Sequence, residues 1–586
     1  MANPASLSLG WGDPRLHEKE HEKEDGQVNA RISGAIPPHM RQQHDPSVSF
    51  EEYLYYAEKT REEELHQPKS AYEQSFLSVI FPSKTDKGAH GASPSANTNN
   101  GSVITEEEWT NASRALRTAT RGAIFYLITT DILGPYSLPF AVAGMGWGPG
   151  IALYTVFAAL AGYSGYLLWE AFMGLDSYHF PVRNFGDLGY RIFGPYMRHF
   201  FNFLQALQLI FNVGMIVMTC GQSMSQATKF KLCYVVCLVI WAIVGLVVGQ
   251  VRTLQKFGWL ANGAIFLNII CMCITMGGAA TSPPNYQAAA LSAGANINGG
   301  ALIKPVNGVY PPVQTSGGLP DQGQFYGSVN AAMQAVFSYG GAMIFPELMA
   351  EMKRPRDFLT AMWAAQAFIY LWYMFYGLFM YGYQGQYVVN PSYLSISKYS
   401  VQTAGNVFSI VASIIAGSLY GNIGVKVVYN NIFVELFHAP PLTVMAGKLV
   451  WVAIVPIYWA IAFVIAASIP NFSGLEGVVA SICILQFTYT FPPMLSIGYW
   501  VRRNALKAGE GFNPETGETM RLDGGIRRII RGFFGRRWWM QTFNLFFFLG
   551  ALALAGLGAY ASIEVLILAF NSGSATSFTC HSPLDG

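Results

Sequence analysis

Long apolar stretches separated by polar loops dominate the chain from residue 122 onward. Each stretch is close to the roughly 20 residues that a transmembrane helix needs. The eleven stretches cover residues 122–146, 148–172, 200–221, 232–250, 257–280, 327–349, 359–382, 402–430, 447–468, 474–498 and 542–570. The pattern predicts an all-α membrane protein of about eleven transmembrane helices.

Two of the predicted helices are interrupted by Gly and Pro. The first contains ILGPYSLPF, with Gly134 and Pro135, and the sixth contains FSYGGAMIFPEL, with Gly340, Gly341 and Pro346. Unwound backbone survives inside a bilayer only where it is buried in protein or lines a cavity. Interrupted helices at matching positions in two halves indicate a secondary transporter with a central binding site.

The two interruptions divide the chain into regions. Residues 122–498 are predicted to form a ten-helix transport core, in which residues 122–280 and 327–498 are inverted repeats of five helices. The Gly/Pro-rich segment 281–326 is expected to be an external loop, which either caps a vestibule or only spans a distance. The helix at 542–570 would lie outside the repeats.

Composition supports a membrane protein and excludes other classes. The 586 residues are 52% hydrophobic and 12% charged, whereas about 25% of a soluble domain is charged. The net charge of +2 does not indicate nucleic-acid binding. Because no metal-ligand or nucleophile motif is present, neither enzymatic activity nor a cofactor or metal is expected. Six of the seven cysteines fall in apolar stretches and only Cys580 lies in a tail, which predicts no disulfide.

Basic residues predict the orientation, since Lys and Arg concentrate in cytoplasmic loops. With the N-terminus inside, the cytoplasmic loops receive Arg183, Arg191, Arg198, Arg252, Lys256, Lys353, Arg354, Arg356 and nine basic residues between 502 and 537, whereas the other side receives Lys229, Lys231, Lys304 and Lys398. The chain is therefore predicted to have a cytoplasmic N-terminus, a basic cytoplasmic loop at 499–541 and an external C-terminal tail at 571–586.

The polar N-terminal region precedes the first helix. Residues 1–104 are rich in charged and low-complexity sequence, which predicts a disordered cytoplasmic tail. Such a tail would either contact trafficking or modifying machinery or be an unstructured extension. Thr105 and Glu108 have capping-box spacing, which predicts a short cytoplasmic helix over 105–121.

Several motifs resemble those of the amino acid/auxin permease family. ILGPYSLPFAVAGMGWGPG resembles its first helix, and FSYGGAMIFPELMAEMKRPRDF resembles its Phe-Pro-Glu motif and following loop. YGNIGVKVVYNNIFVELFHAPPLT and NFGDLGYRIFGP are similar to the fungal branch of neutral amino acid permeases. The resemblance implies a leucine-transporter-like fold and proton symport of neutral aliphatic and aromatic amino acids at the plasma membrane. An amino-acid-sensing receptor on this fold and a vacuolar exporter of the family are the alternatives.

An amino acid substrate presents a carboxylate and an ammonium group. N–H groups at the start of a half-helix bind anions, so we expect the carboxylate near Gly134, Tyr136 and Ser137. The ammonium needs oxygens, and the candidates lie around Thr130, Phe337, Ser338 and Tyr339. For Ser338 and Tyr339, packing between helices is as good an interpretation as substrate binding. Side-chain selectivity is expected from Phe211, Asn212, Phe337 and Tyr420, with a packing or lipid-facing surface as the alternative for the aromatic residues.

Charged residues within membrane helices are functional candidates by default. Asp131 is predicted to carry the coupling proton with Lys426 as its partner, or to form a permanent ion pair with it. The Lys426 ammonium would take the place of a bound sodium ion, which would favour coupling to protons. Alternatively, its side chain would extend to the cytoplasmic surface. Glu347 is a candidate gating residue, whereas Glu351 is expected to lie at a solvated helix end.

Overall fold

The computed structural model describes residues 44–66, 117, 119–251, 258–291, 305–320, 324–434, 439–440, 442, 444–469, 471–571 and 577–585. Helices form nearly all of the regular structure in these ranges. Eight of the helices are long and apolar enough to cross a membrane, and Tyr234–Gly249 is a shorter apolar helix. With the two interrupted helices, the described residues form eleven spans, as the hydropathy pattern predicts.

The spans are numbered in chain order. Span 1 comprises Arg121–Ile132, the 3-10 turn Pro135–Ser137 and Leu138–Met145; span 2 is Trp147–Leu175, span 3 Pro195–Ala227, span 4 Tyr234–Gly249 and span 5 Gly258–Thr281. Span 6 comprises Phe325–Ser338, the 3-10 turn Ala342–Ile344 and Phe345–Glu351; span 7 is Phe358–Gln384, span 8 Tyr399–Val428 and span 9 Met445–Ser468. Span 10 comprises Phe472–Val479, the π-helical stretches Ala480–Ile484 and Gln486–Thr490, and Phe491–Asn504; span 11 is Trp538–Asn571.

The packing of the spans shows a five-plus-five repeat. Spans 1, 2, 3 and 4 each contact the span five places later, namely 6, 7, 8 and 9. Contacts between unlike spans also occur in exchanged pairs: 1 with 7 and 6 with 2, 3 with 9 and 8 with 4, 5 with 8 and 10 with 3. Because each repeat crosses the membrane an odd number of times, the second repeat is inverted. The fold is leucine-transporter-like, and span 11 packs outside the repeats against spans 6 and 10.

Shorter elements cover the two ends of the bundle. The helix Phe185–Phe193 lies between spans 2 and 3, and the helix Tyr286–Leu291 falls in the predicted loop 281–326. The basic loop predicted at 499–541 contains a hairpin of Gly511–Asn513 with Glu518–Met520 and the helix Ile526–Phe533.

An N-terminal helix lies within the segment predicted to be disordered. Phe50–Leu65 begins after Ser49, whose hydroxyl accepts the N–H of Glu52. Phe50, Tyr53, Leu54 and Ala57 are buried because this face packs against the end of span 2 and the hairpin. The helix predicted at 105–121 falls mostly outside the described residues, and Ala119 forms an extended bridge with Met352 instead of a helical turn.

A disulfide joins the opposite end of the bundle to the C-terminal tail, contrary to the prediction of none. Cys233 and Cys580 are bonded, and Tyr234 N–H donates to the Cys580 carbonyl at 3.0 Å. The prediction was wrong because Cys233 caps span 4 at a loop instead of lying within the span. We call the end with the N-terminal helix the basic end and the end with Cys233–Cys580 the disulfide end.

Candidate functional site

The interruption of span 1 exposes backbone donors at the start of a half-helix. The first helical piece ends at Ile132, Gly134 is extended with φ −163°, and the turn Pro135–Ser137 leads into the second piece. Leu138 makes the first intrahelical bond, to the Pro135 carbonyl. The N–H groups of Tyr136 and Ser137 precede that bond, so they are available to an anion.

The interruption of span 6, like that of span 1, joins two helical pieces through a 3-10 turn. Helix Phe325–Ser338 ends, Gly340 and Gly341 donate to the carbonyls of Phe337 and Tyr339, and a 3-10 turn follows. The Phe345 N–H donates to the Ala342 carbonyl and starts the second piece. Both interruptions therefore present the N-terminus of a half-helix.

Tyr373 of span 7 joins the two interruptions. Its hydroxyl contacts the carbonyl of Ile132 in span 1, lies 3.0 Å from the carbonyl of Ser338 in span 6, and accepts the N–H of Gly134 at 3.2 Å. It therefore satisfies backbone groups that unwinding releases on both spans. Sequence reasoning missed Tyr373, because nothing distinguishes it from the other aromatic residues of span 7.

Open space distinguishes the interruption of span 1. A Cβ added at Gly134 would meet nothing within 4 Å, and Thr130, Asp131 and Tyr136 around it are half-buried in the middle of the bundle. A Cβ at Gly340 would overlap Ile484, and one at Gly341 would overlap Ile132. The glycines of span 6 therefore permit close packing, whereas Gly134 borders a space.

The other predicted substrate residues lie around this space, and their hydroxyls are engaged. Thr130 and Ser338 donate to the helix carbonyls of Tyr126 and Gln334, both at 2.7 Å. Phe337 is half-buried, and Tyr339 is fully buried with its ring against Tyr373. The carbonyls of Ser338 and Tyr339 each accept one bond, and a carbonyl oxygen can accept a second. The Phe337 carbonyl accepts from the N–H groups of both Tyr339 and Gly340.

The predicted pairing of Asp131 with Lys426 is wrong in this conformation. The hydroxyl of Tyr420 in span 8 donates to Asp131 Oδ1 at 2.7 Å. Lys426 follows Tyr420 by six residues, about 9 Å along the helix and on another face. Its ammonium is buried and interacts with the charge of Glu351.

Glu351 and Glu347 lie at the basic end of span 6. Glu351 is half-buried instead of solvated, and its Oε1 is buried without a hydrogen-bond partner among the described residues. Glu347 is buried and accepts a bond from Gln205 Nε2 of span 3 at 3.0 Å. These acids and Lys426 form a charged group on the basic side of the interruptions.

Two polar residues on other spans make hydrogen bonds to the interruption of span 1, and sequence reasoning missed both of them. Asn268 of span 5 donates to the Leu133 carbonyl at 3.2 Å and lies beside the Tyr136 hydroxyl. Glu476 of span 10 accepts the Ser137 hydroxyl at 2.7 Å. A signal existed for Glu476, since it is the acid inside the apolar stretch 474–498.

Comparisons with known proteins define the class of this protein. The family "Transmembrane amino acid transporter protein" matches residues 117–510, which include ten of the eleven spans. The chain belongs to this family. It is therefore an amino acid transporter family member with a membrane-transporter fold, not an enzyme.

The chain is also similar to individual proteins. The chain is 23% identical over 473 residues to the N amino acid transport system protein of Neurospora crassa, covering 79% of this chain and 88% of the relative. A transmembrane transporter of Gibberella moniliformis is 22% identical over 376 residues, covering 64% of this chain and 74% of the relative. The solved structure of Mhp1, a nucleobase-cation-symport-1 family transporter, matches with TM-score 0.39 and 15% identity over 78% of this chain and 92% of that chain.

Proposed function

We propose that this protein imports neutral amino acids, aliphatic and aromatic, by proton symport with alternating access. The observation that carries the proposal is the space beside Gly134, which adjoins the N–H groups of a half-helix. The substrate carboxylate would accept bonds from the N–H groups of Tyr136 and Ser137. The ammonium would lie against the carbonyl oxygens around Phe337, Ser338 and Tyr339.

Neutral substrates fit the polar groups around the space. The groups described there are hydroxyls, backbone amides and the carboxylate of Asp131, which accepts from Tyr420. A second substrate carboxylate would need a cation, but the buried Lys426 interacts with the charge of Glu351. Phe211, Phe337 and Tyr420 are half-buried and offer aromatic surface for an apolar side chain.

Proton coupling is supported by acids inside the bundle whose described hydrogen-bond partners are neutral. Asp131 is bonded to Tyr420 and Glu347 to Gln205. A buried carboxylate without a cation is costly, and taking up a proton removes that cost. Lys426, Glu351 and Glu347 on the basic side would form the gate that opens toward that end.

The orientation with a cytoplasmic basic end is part of the proposal. The basic helix Ile526–Phe533 and its loop carry most of the Arg residues near the helix ends. The bond between Cys233 and Cys580 fits an oxidising exterior at the other end. These features support plasma-membrane import, with the C-terminal tail outside.

Uptake by purified protein in sealed proteoliposomes tests the proposal. An inward proton gradient should drive accumulation of labelled neutral amino acids, and replacing sodium with choline should change little. Accumulation that requires sodium and ignores pH would exclude proton coupling. Absence of flux together with ligand-dependent stabilisation would indicate a sensor instead of a transporter.

The substitution Gly134→Val tests the site itself. Its side chain would enter the open space without a clash, so the protein should fold while uptake falls at least about tenfold. Gly556→Val in span 11 is the matched control, because a Cβ there also meets nothing within 4 Å. Near-normal uptake by Gly134→Val would remove this interruption from the substrate site.

A further inference from the structure

Glu476 is a fully buried acid in the part of span 10 nearest the disulfide end. Its exposed fraction is 0%, and each carboxylate oxygen accepts one bond. The Ser137 hydroxyl donates to Oε1 at 2.7 Å, and Asn390 Nδ2 donates to Oε2 at 2.8 Å. Both donors are neutral.

The surroundings of Glu476 contain no described cation that could compensate an anion. The ionisable groups that face it are the phenols of Tyr154 in span 2 and Tyr373 in span 7. Among the spans packed against it, the helical piece Phe325–Ser338 of span 6 contains no charged residue, and Glu564 of span 11 interacts electrostatically with Tyr326. Arg198 and His199 of span 3 lie at the opposite end of their helix, where Arg198 interacts with Asp187.

The position of Glu476 links it to the proposed substrate carboxylate. Ser137 would offer its N–H to the substrate while its hydroxyl is bonded to Glu476. Two carboxylates that share one buried residue cannot both keep a negative charge without a large cost. The substrate carboxylate would therefore bind when Glu476 is neutral.

The hydrogen-bond network around Glu476 can serve both protonation states. As a carboxylate it accepts from Ser137 and Asn390, as observed. As a neutral acid it would need an acceptor, and Asn390 Oδ1 is buried without a partner among the described residues. A half-turn of the Asn390 amide would bring that oxygen to the acid proton, because the amide oxygen and nitrogen exchange places in such a turn.

The network continues through residues nearer the disulfide end. Asn390 Nδ2 also lies 3.2 Å from Gln334 Oε1, and Gln334 Nε2 donates to the Ser473 carbonyl at 3.1 Å. Asn390 lies in the connection between spans 7 and 8, and Ser473 in the first turn of span 10. A proton entering from the disulfide end would meet these groups before the interruption of span 1.

We propose that Glu476 binds the coupling proton and that its neutral form is required for the substrate carboxylate to bind at Ser137. This rests on the proposed function of proton-driven amino acid import. By thermodynamic linkage, the bound substrate would in turn retain the proton on Glu476. The proton would be taken up from water at the disulfide end and released at the basic end after the substrate leaves.

The variant Glu476→Gln tests this coupling in proteoliposomes. It is permanently neutral, so gradient-driven accumulation should fall to an equal concentration on both sides. Exchange of labelled for unlabelled substrate should persist and lose its pH dependence. Asp131→Asn is the matched comparison at the same interruption. Full accumulation by Glu476→Gln, with coupling lost in Asp131→Asn, would overturn the proposal.

Two further measurements keep the outcome decisive. If a proton gradient does not drive uptake by the wild-type protein, proton symport itself is excluded. If it drives uptake by the wild type and equally by Glu476→Gln, only the assignment of Glu476 is excluded. If Glu476→Gln does not reach the membrane, Ser137→Ala carries the test, because it removes a donor to the carboxylate. The pH midpoint of substrate binding should then move by at least about half a unit, and an unchanged midpoint would overturn the proposal.

Discussion

Two fully buried carboxylates, Asp176 and Glu476, are held in different ways at opposite ends of the bundle. Asp176 follows span 2 and accepts bonds from Arg61 at 2.7 Å and from Arg117 at 2.8 and 2.9 Å. Glu476 accepts bonds only from the neutral Ser137 and Asn390. Both acids have 0% exposure, so burial alone does not distinguish them.

The partners decide what each acid can do. Burial by itself would raise the pKa of Asp176, but the guanidinium groups of Arg117 and Arg61 outweigh it and hold the pKa below its ordinary value. Asp176 is thus a fixed anion that anchors the N-terminal helix and the segment before span 1. Glu476 has no such anchor, which leaves its charge free to change during a cycle.

The largest expected effect is that of Asp176→Asn. The change leaves the buried guanidinium of Arg117 without its anion and leaves Arg61 paired with Glu64 alone. Breaking a buried pair in this way costs about 3–5 kcal/mol in comparable cases. Thermal unfolding in detergent should shift strongly downward. Glu58→Gln is the control, because its pair with Arg503 is exposed and should be worth less than about 1 kcal/mol. Equal stability of the two variants would contradict the anchoring role of Asp176.

A smaller effect is expected from Arg61→Gln. Arg117 would still hold Asp176 with two bonds and would remain the charge that acts on Glu64, which loses its pair with Arg61, so the loss should be about 1–3 kcal/mol. Because Arg61 lies on the N-terminal helix, limited proteolysis should cut that helix free faster than in the wild type. Unchanged proteolysis would mean that the apolar face of the helix is sufficient to hold it.

Acid should remove the contribution of the Asp176 carboxylate to the stability of the folded protein. The folded pKa of Asp176 lies below its unfolded value of about 3.9, so its contribution is present above that pH and is lost as pH falls through the folded pKa. The unfolding temperature should therefore fall below about pH 4, and the slope should be shallower in Asp176→Asn. Identical slopes in the two proteins would show that groups other than Asp176 cause the loss of stability in acid.

The smallest expected effect is on the stability of the Glu476→Gln variant. Gln keeps the shape and leaves no cation unpaired, so the unfolding free energy should change by less than about 1 kcal/mol. Unfolding in detergent at neutral pH measures it. A loss as large as that of Asp176→Asn would show that Glu476 is a structural anion as well.

The sequence predicted the spans and the interruptions well, because both depend on local composition. Apolar length marked the eleven spans, and Gly134, Pro135, Gly340 and Gly341 marked the unwound turns. The buried N-terminal helix was not predicted, since its charged residues are buried only through partners such as Asp176 that are distant in sequence. The disulfide was missed for the same reason, as Cys233 and Cys580 are 347 residues apart.

By itself, the sequence determined that this protein is an all-helical membrane transporter with two broken helices, because hydrophobic length and backbone breaks are local properties. The tertiary structure decided which groups meet at those breaks. Asp131 lies against Tyr420 and not Lys426, and one hydroxyl of Tyr373 serves both interrupted spans. The charge state that a buried acid such as Glu476 can adopt depends on neighbours from other spans, and those are set only when the two repeats pack together.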